Sequence, residues 1–220
     1  MIGDAIIFPF QRSGWPILIC GTLLSVLIDI LSFIPLVGII VALFGAGFFS
    51  SYYIDIVGFT MTHNDEVPDW PSLTDFWNDI ITPFFRICGL IVLSFWPVVL
   101  VPFLVGTESP QFTPVLIGVI ALGCLYFPMA VIALQAFGTL GGAMPYVVIP
   151  AVIRAMPEYF LGVVALVMVF VGCTLVEILT AEIPVAGWVL TPLIGLYGLM
   201  CQARLIGLIY RRYEDKIGWL

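Results

Sequence analysis

Apolar residues run with little interruption from Trp15 to Thr60. That run is too long for one crossing, because a hydrocarbon core about 30 Å thick takes roughly 20 helical residues. Pro35, Leu36, Val37 and Gly38 break it, which predicts a helical hairpin with spans over 15–34 and 37–60. Later apolar runs predict spans over 85–105, 115–134, 159–179 and 188–209. Pro97 and Pro128 lie inside runs without ending them, since a membrane helix tolerates proline where neighbours satisfy the freed carbonyl. The pattern predicts an all-α, polytopic transmembrane bundle of about six spans, one domain over 1–220 with both termini on the same side.

Two intervals depart from the pattern. Residues 63–86 are the most polar, and after Pro68 and Pro71 the pair Ser72 and Asp75 makes an S-x-x-D capping pattern. Leu73, Phe76, Trp77, Ile80, Ile81 and Phe84 then recur at helical spacing, predicting an amphipathic interfacial helix over 72–82. Its other face carries Asp75, Asn78 and Asp79, whereas helices recruited by anionic lipid are usually rich in Lys and Arg. That face either tethers the third span or docks a basic partner protein. Residues 138–157 are apolar but short and broken by Gly141, Gly142, Pro145, Pro150 and Pro157. They predict an interfacial or re-entrant segment, a binding site or a plain connector.

Composition removes whole classes of function. The chain is 62% hydrophobic and 10% charged, with a mean hydropathy of +1.18, so there is no room for a sizeable soluble catalytic domain. Seven Lys and Arg against 14 Asp and Glu give a net charge of −7, the opposite of a nucleic-acid-binding chain. Distribution adds more than the total. With a cytoplasmic N-terminus, Arg12, Arg86, Arg154, Arg204, Arg211, Arg212 and Lys216 all fall at or near the inner face, and the outer turns near Pro35, Glu108 and Glu182 carry no Lys or Arg. Trp15, Tyr52, Tyr53, Tyr159, Trp188, Tyr210, Tyr213 and Trp219 fall near span ends, as a belt of interfacial aromatics would. The N-terminus has no basic stretch ahead of its apolar residues, so no cleavable leader is expected.

Candidate chemistry is sparse. The only histidine is His63, so no span offers a His pair for haem or several imidazoles for pigment. No hydrolase, metalloprotease or nucleotide-binding motif occurs, the five cysteines lie singly in apolar runs, and no catalytic residue, cofactor or metal is expected. Intramembrane charge is costly and therefore informative. Asp55 and Arg204 each lie about 18 residues from an outer turn, and equal depth predicts an ion pair between spans two and six. Asp29 and Glu177 each lie about 7 residues below an outer turn with no base at that depth. They form a candidate cation or proton site, or else are protonated or hydrogen-bonded within helix interfaces. Gly38, Ala42, Ala46 and Ser50 form a stripe of small residues suited to close helix approach.

Phe8-Pro9-Phe10 with Gly14-Trp15, then Ile34 to Gly38, Val67-Pro68-Asp69-Trp70, Phe127-Pro128-Met129-Ala130 and the tail from Gly207 to Trp219 resemble a large uncharacterised family of bacterial six-span membrane proteins. That family is a domain of unknown function loosely akin to the membrane domain of some glycerophosphodiester phosphodiesterases. The resemblance implies a bacterial inner-membrane protein and supplies no catalytic residues. A non-enzymatic accessory or scaffold subunit, partnered by the bilayer and other membrane subunits, is the leading expectation. A small cation- or proton-linked transporter using Asp29 and Glu177 is the alternative, and a lipid-handling protein the third.

Overall fold

The computed structural model describes residues 1–71, 74–184 and 186–219. Helices account for its regular structure: α1 Ile2–Ile7, α2 Gly14–Leu31, α3 Val37–Met61, α4 Thr82–Val105, α5 Phe112–Phe137, α6 Pro145–Ala155, α7 Glu158–Ala181 and α8 Gly187–Ile217. Among the described residues there is no strand. Six stretches are long and apolar enough to cross a bilayer: α2, α3, α5, α7, α8, and the run Trp77–Val105 that contains α4. This is a multi-pass helical membrane protein. Most of these helices turn large apolar side chains outward, as Leu104, Leu161 and Leu179 do, which only a lipid solvent makes favourable. The most enclosed is α8, with 61% of its apolar window buried.

Within the single domain expected over 1–220, the chain gathers into two compact units, Met1–Phe85 with Val164–Arg212, and Arg86–Val163 with Tyr213–Leu220. In the first, α2 and α3 form the expected hairpin. Ser32 bonds back to the Ile28 carbonyl and Leu36 takes a left-handed φ of 69°. A Cβ on Gly38 would stand 2.5 Å from the Ser32 carbonyl, so only glycine lets α3 start so close to the end of α2. Of the predicted stripe, Gly38 packs and Ser50 is half-buried. Ala42 and Ala46 are exposed, whereas Gly45 meets Ile28 and Gly47 meets Ile80.

The interfacial helix expected over 72–82 is not a separate element. Ser72 and Leu73 lie outside the described residues. Residues 74 and 75 bend, and a π-helical turn Trp77–Ile81 runs directly into α4. Among the described residues Asp75 makes a cap: its Oδ1 accepts the Asn78 backbone N–H at 3.2 Å, and Asp79 Oδ2 accepts the Asp75 N–H at 3.1 Å. The reciprocal carboxylate comes four residues on rather than three because the π-helical turn is wider.

In the second unit, the 138–157 segment is a 3-10 turn, Leu140–Ala143, followed by the 11-residue α6. Val148, Ala151 and Ala155 are buried, and Tyr146, Ile149 and Ile153 are exposed on the other face. Both pieces pack on α5, and Tyr126 donates its hydroxyl to the Ala143 carbonyl. Pro128 interrupts the α5 ladder because it has no N–H. At the next rung the Tyr159 hydroxyl accepts from the Met129 N–H at 3.2 Å and donates to the Leu125 carbonyl at 2.6 Å. Tyr159, expected in an interfacial aromatic belt, is thus fully buried and knits α5 to α7 within this unit. Tyr52 and Tyr210 are likewise buried, while Trp15 and Trp188 are exposed.

Candidate functional site

The chain entering and leaving α3 decides where charge can sit in the first unit. At the C-terminal end of α3, the His63 N–H bonds the Thr60 carbonyl at 3.2 Å and the Asn64 N–H bonds the Phe59 carbonyl at 3.0 Å. His63 has a φ of 62°. This is a Schellman termination with histidine in the left-handed position that glycine usually fills. It reverses the chain and brings Asp65 beside α8.

Asp65, not Asp55, is the partner of Arg204. The Arg204 Nη2 meets Asp65 Oδ1, while its Nη1 donates to Thr60 Oγ1 and to the Asn64 carbonyl, both at 3.1 Å. The same Asp65 oxygen accepts from Arg211 Nη1 at 2.6 Å. The Phe8 ring lies under the Arg204 guanidinium at 4.8 Å from its centroid, a cation–π contact. The pair expected from equal depth fails because a long arginine side chain reaches past its own level on the helix, to a carboxylate that the loop supplies. Asp55 instead lines an open cleft with Arg12, Glu66, Asp69 and Trp70. Asp65, a potential loop donor beside His63 and Glu66, is engaged by two guanidiniums. Among the described residues no group of three or more His, Cys, Asp or Glu could hold a metal ion.

Hydrogen bonds from Arg211 first, and then from Arg204, hold the Asp65 carboxyl below its usual value of 3.8. A carboxylate depressed in the folded state stabilises the protein above the unfolded value and loses that contribution as pH falls through the folded one. Melting temperature in neutral detergent is therefore expected to fall on acidification below about pH 4. Asp65→Asn, less stable at neutral pH, should show a shallower acid slope, and an unchanged slope would remove Asp65 from the titration.

Asp29 and Glu177 have different surroundings. Asp29 is exposed and lines a cleft with Ser32, Phe33, Ala181, Trp188, Thr191 and Pro192. Glu177 is not among the residues lining that cleft. Its Oε1 lies over Gly195 of α8, 3.1 Å from where a Cβ would stand. Phe33 and Trp188 stack at 6.0 Å, closing one wall of the Asp29 cleft with an aromatic pair.

The proposed docking residues stand at the start of the third span. Asp75 and Asn78 are exposed and joined by a 2.6 Å bond from Asn78 Nδ2 to Asp75 Oδ2, while Asp79 is half-buried. The Asn78 side chain, then its backbone N–H, holds the Asp75 carboxyl below its usual value, so it is charged at neutral pH. Phe76 and Trp77 are exposed beside it, 50% and 67%.

Sequence reasoning missed Asp65, Thr60 and Arg211 as one network. The available signal was an acid four residues after Met61, the last apolar residue of a span, opposite a span carrying an intramembrane arginine. No family model, no curated protein and no solved structure matches this chain.

Proposed function

We propose that this membrane protein is a non-enzymatic accessory or scaffold subunit of the bacterial inner membrane, with both termini cytoplasmic. The observation that carries this reading is that hydroxyls in several spans are satisfied within their own helix. Thr22, Ser25, Ser94 and Thr180 each return their hydroxyls to a carbonyl of their own helix, four residues back. Such bonds satisfy each group within one helix, without calling on a partner from another span. Asp29 lines a cleft with Thr191 and Trp188 while Glu177 lies against Gly195, whereas a shared cation or proton site would require both carboxylates in one cavity. The charged Asp75 and exposed Asn78, flanked by Phe76 and Trp77, offer a partner an acidic and aromatic patch at a span entrance, a composition suited to protein contact.

The test combines flux and assembly. In proteoliposomes, Asp29→Asn and Glu177→Gln are expected to fold and to leave proton and cation flux at the level of protein-free vesicles. A flux abolished by either substitution would make transport the function. In the native membrane, Asp75→Asn, which keeps an Oδ1 acceptor for the cap and removes the charge, should release co-purifying subunits with little change in the melting temperature of the isolated chain.

Orientation follows from the basic residues, all seven of which lie outside the three turns near Pro35, Glu108 and Glu182. A cysteine placed at Glu108 should react with an impermeant maleimide from the periplasmic side of intact cells. Labelling only after permeabilisation would invert the topology.

A further inference from the structure

We propose that the cleft lined by α1, Gln11, the loop after α3 and the last turns of α8 binds a phosphate-bearing anion through Arg204, Arg211 and Arg212. The cleft is open, about 670 Å³, and its lining also includes Asp4, Asp65 and the apolar Ile7 and Leu208. Arg204, Leu208 and Arg211 are spaced by four and three, so they stand above one another on a single face of α8. Seven residues separate the two arginines, a rise of roughly 10 Å. Positive charge therefore extends from within the span to its polar end. At 31 residues α8 is longer than a bilayer core, which takes about 20, so Arg211 and Arg212 stand at headgroup level.

Donors outnumber acceptors here. Each guanidinium carries five N–H donors, and a single oxygen, Asp65 Oδ1, serves both Arg204 and Arg211. The Arg204 side chain is only 5% exposed, yet its Nε has no hydrogen-bond partner. Leaving such a donor unpaired is costly. An orphaned N–H on a buried guanidinium that lines an open cleft calls for an acceptor from outside the chain. Arg212 is exposed on the same cleft and forms no ion pair among the described residues. A tetrahedral anion offers several oxygens to the donors that Asp65 leaves unused, and guanidinium forks match it bidentately. Phosphate at this depth occurs on lipid headgroups, for which basic pockets at span ends are suited, and also as the free anion. The inference stands independently of the scaffold reading.

The full chain in neutral detergent is titrated with inorganic phosphate and, separately, with short-chain phosphatidylglycerol, while melting temperature is followed. A saturable rise is expected, with affinity roughly fivefold weaker for Arg211→Gln and again for Arg212→Gln. Lys216→Gln, on the same helix but outside the cleft, should leave it unchanged. Saturation by the lipid at much lower concentration than by phosphate assigns the site to a headgroup, and equal saturation assigns it to the free anion. No saturable rise with either probe, or an affinity unmoved by both arginine substitutions, would overturn the proposal. Because Arg212 is exposed and unpaired, its variant tests the site without threatening the fold.

Discussion

Gly207→Ala is expected to destabilise the protein by about 3 kcal/mol, the upper end of what overpacking costs. A Cβ at this position would collide with Thr60 Cβ, lie 2.6 Å from Thr60 Cγ2 and 3.1 Å from the Val57 carbonyl. Thr60 is completely buried and cannot swing aside, because its hydroxyl already donates to the Ile56 carbonyl at 2.8 Å. Relief therefore requires α3 and α8 to separate. They would separate at the point where Arg204 reaches Thr60, so the methyl group would also loosen a buried guanidinium's hydrogen bonds. Gly172→Ala in α7 is the contrast, since a Cβ there meets nothing within 4 Å. In a helix that change removes backbone freedom from the unfolded chain and should be neutral or stabilising by up to about 1 kcal/mol. Denaturation in mixed detergent micelles measures both. Equal stabilities would show that α3 and α8 do not approach this closely.

That close approach was not legible in the sequence, and the reason is physical. In water, an apolar stripe identifies the buried face of a helix. In a membrane, lipid and protein faces are equally apolar, so periodicity reports little about which side packs. The spacing of Gly38, Ala42, Ala46 and Ser50 pointed to a face that is partly exposed, while the approach of α8 to Thr60 uses a single glycine, Gly207. The six apolar stretches themselves were legible, because a run of some twenty apolar residues has few other stable solutions. Arg204 was recognisable as needing a partner, but its identity depended on the left-handed turn at His63, which places Asp65. A histidine at that position carries no signal comparable to a glycine's. The role of Tyr159 was hidden for a related reason. An aromatic residue near a span end fits a headgroup belt equally well until its hydroxyl is seen to have buried partners.

Tyr159→Phe is expected to cost about 2 kcal/mol, although it removes one oxygen and leaves the ring's packing intact. The hydroxyl is the acceptor for the Met129 N–H and the donor to the Leu125 carbonyl, the two ends of one α5 rung. Pro128 precedes that rung directly. Its ring crowds the carbonyl four residues back and opens the helix locally, so the adjacent rung has room for an inserted hydroxyl. Without the hydroxyl, both backbone groups must reach each other across the opening or remain unpaired among apolar side chains, with no water at that depth to replace it. The cost is therefore tied to the proline, which a double-mutant cycle can reveal. Pro128→Ala restores an N–H and lets the rung close, so Tyr159→Phe should cost measurably less in that background than in the natural one. Equal costs in both backgrounds would mean that the hydroxyl stabilises α5 and α7 by ordinary hydrogen bonding, with no part in accommodating the proline.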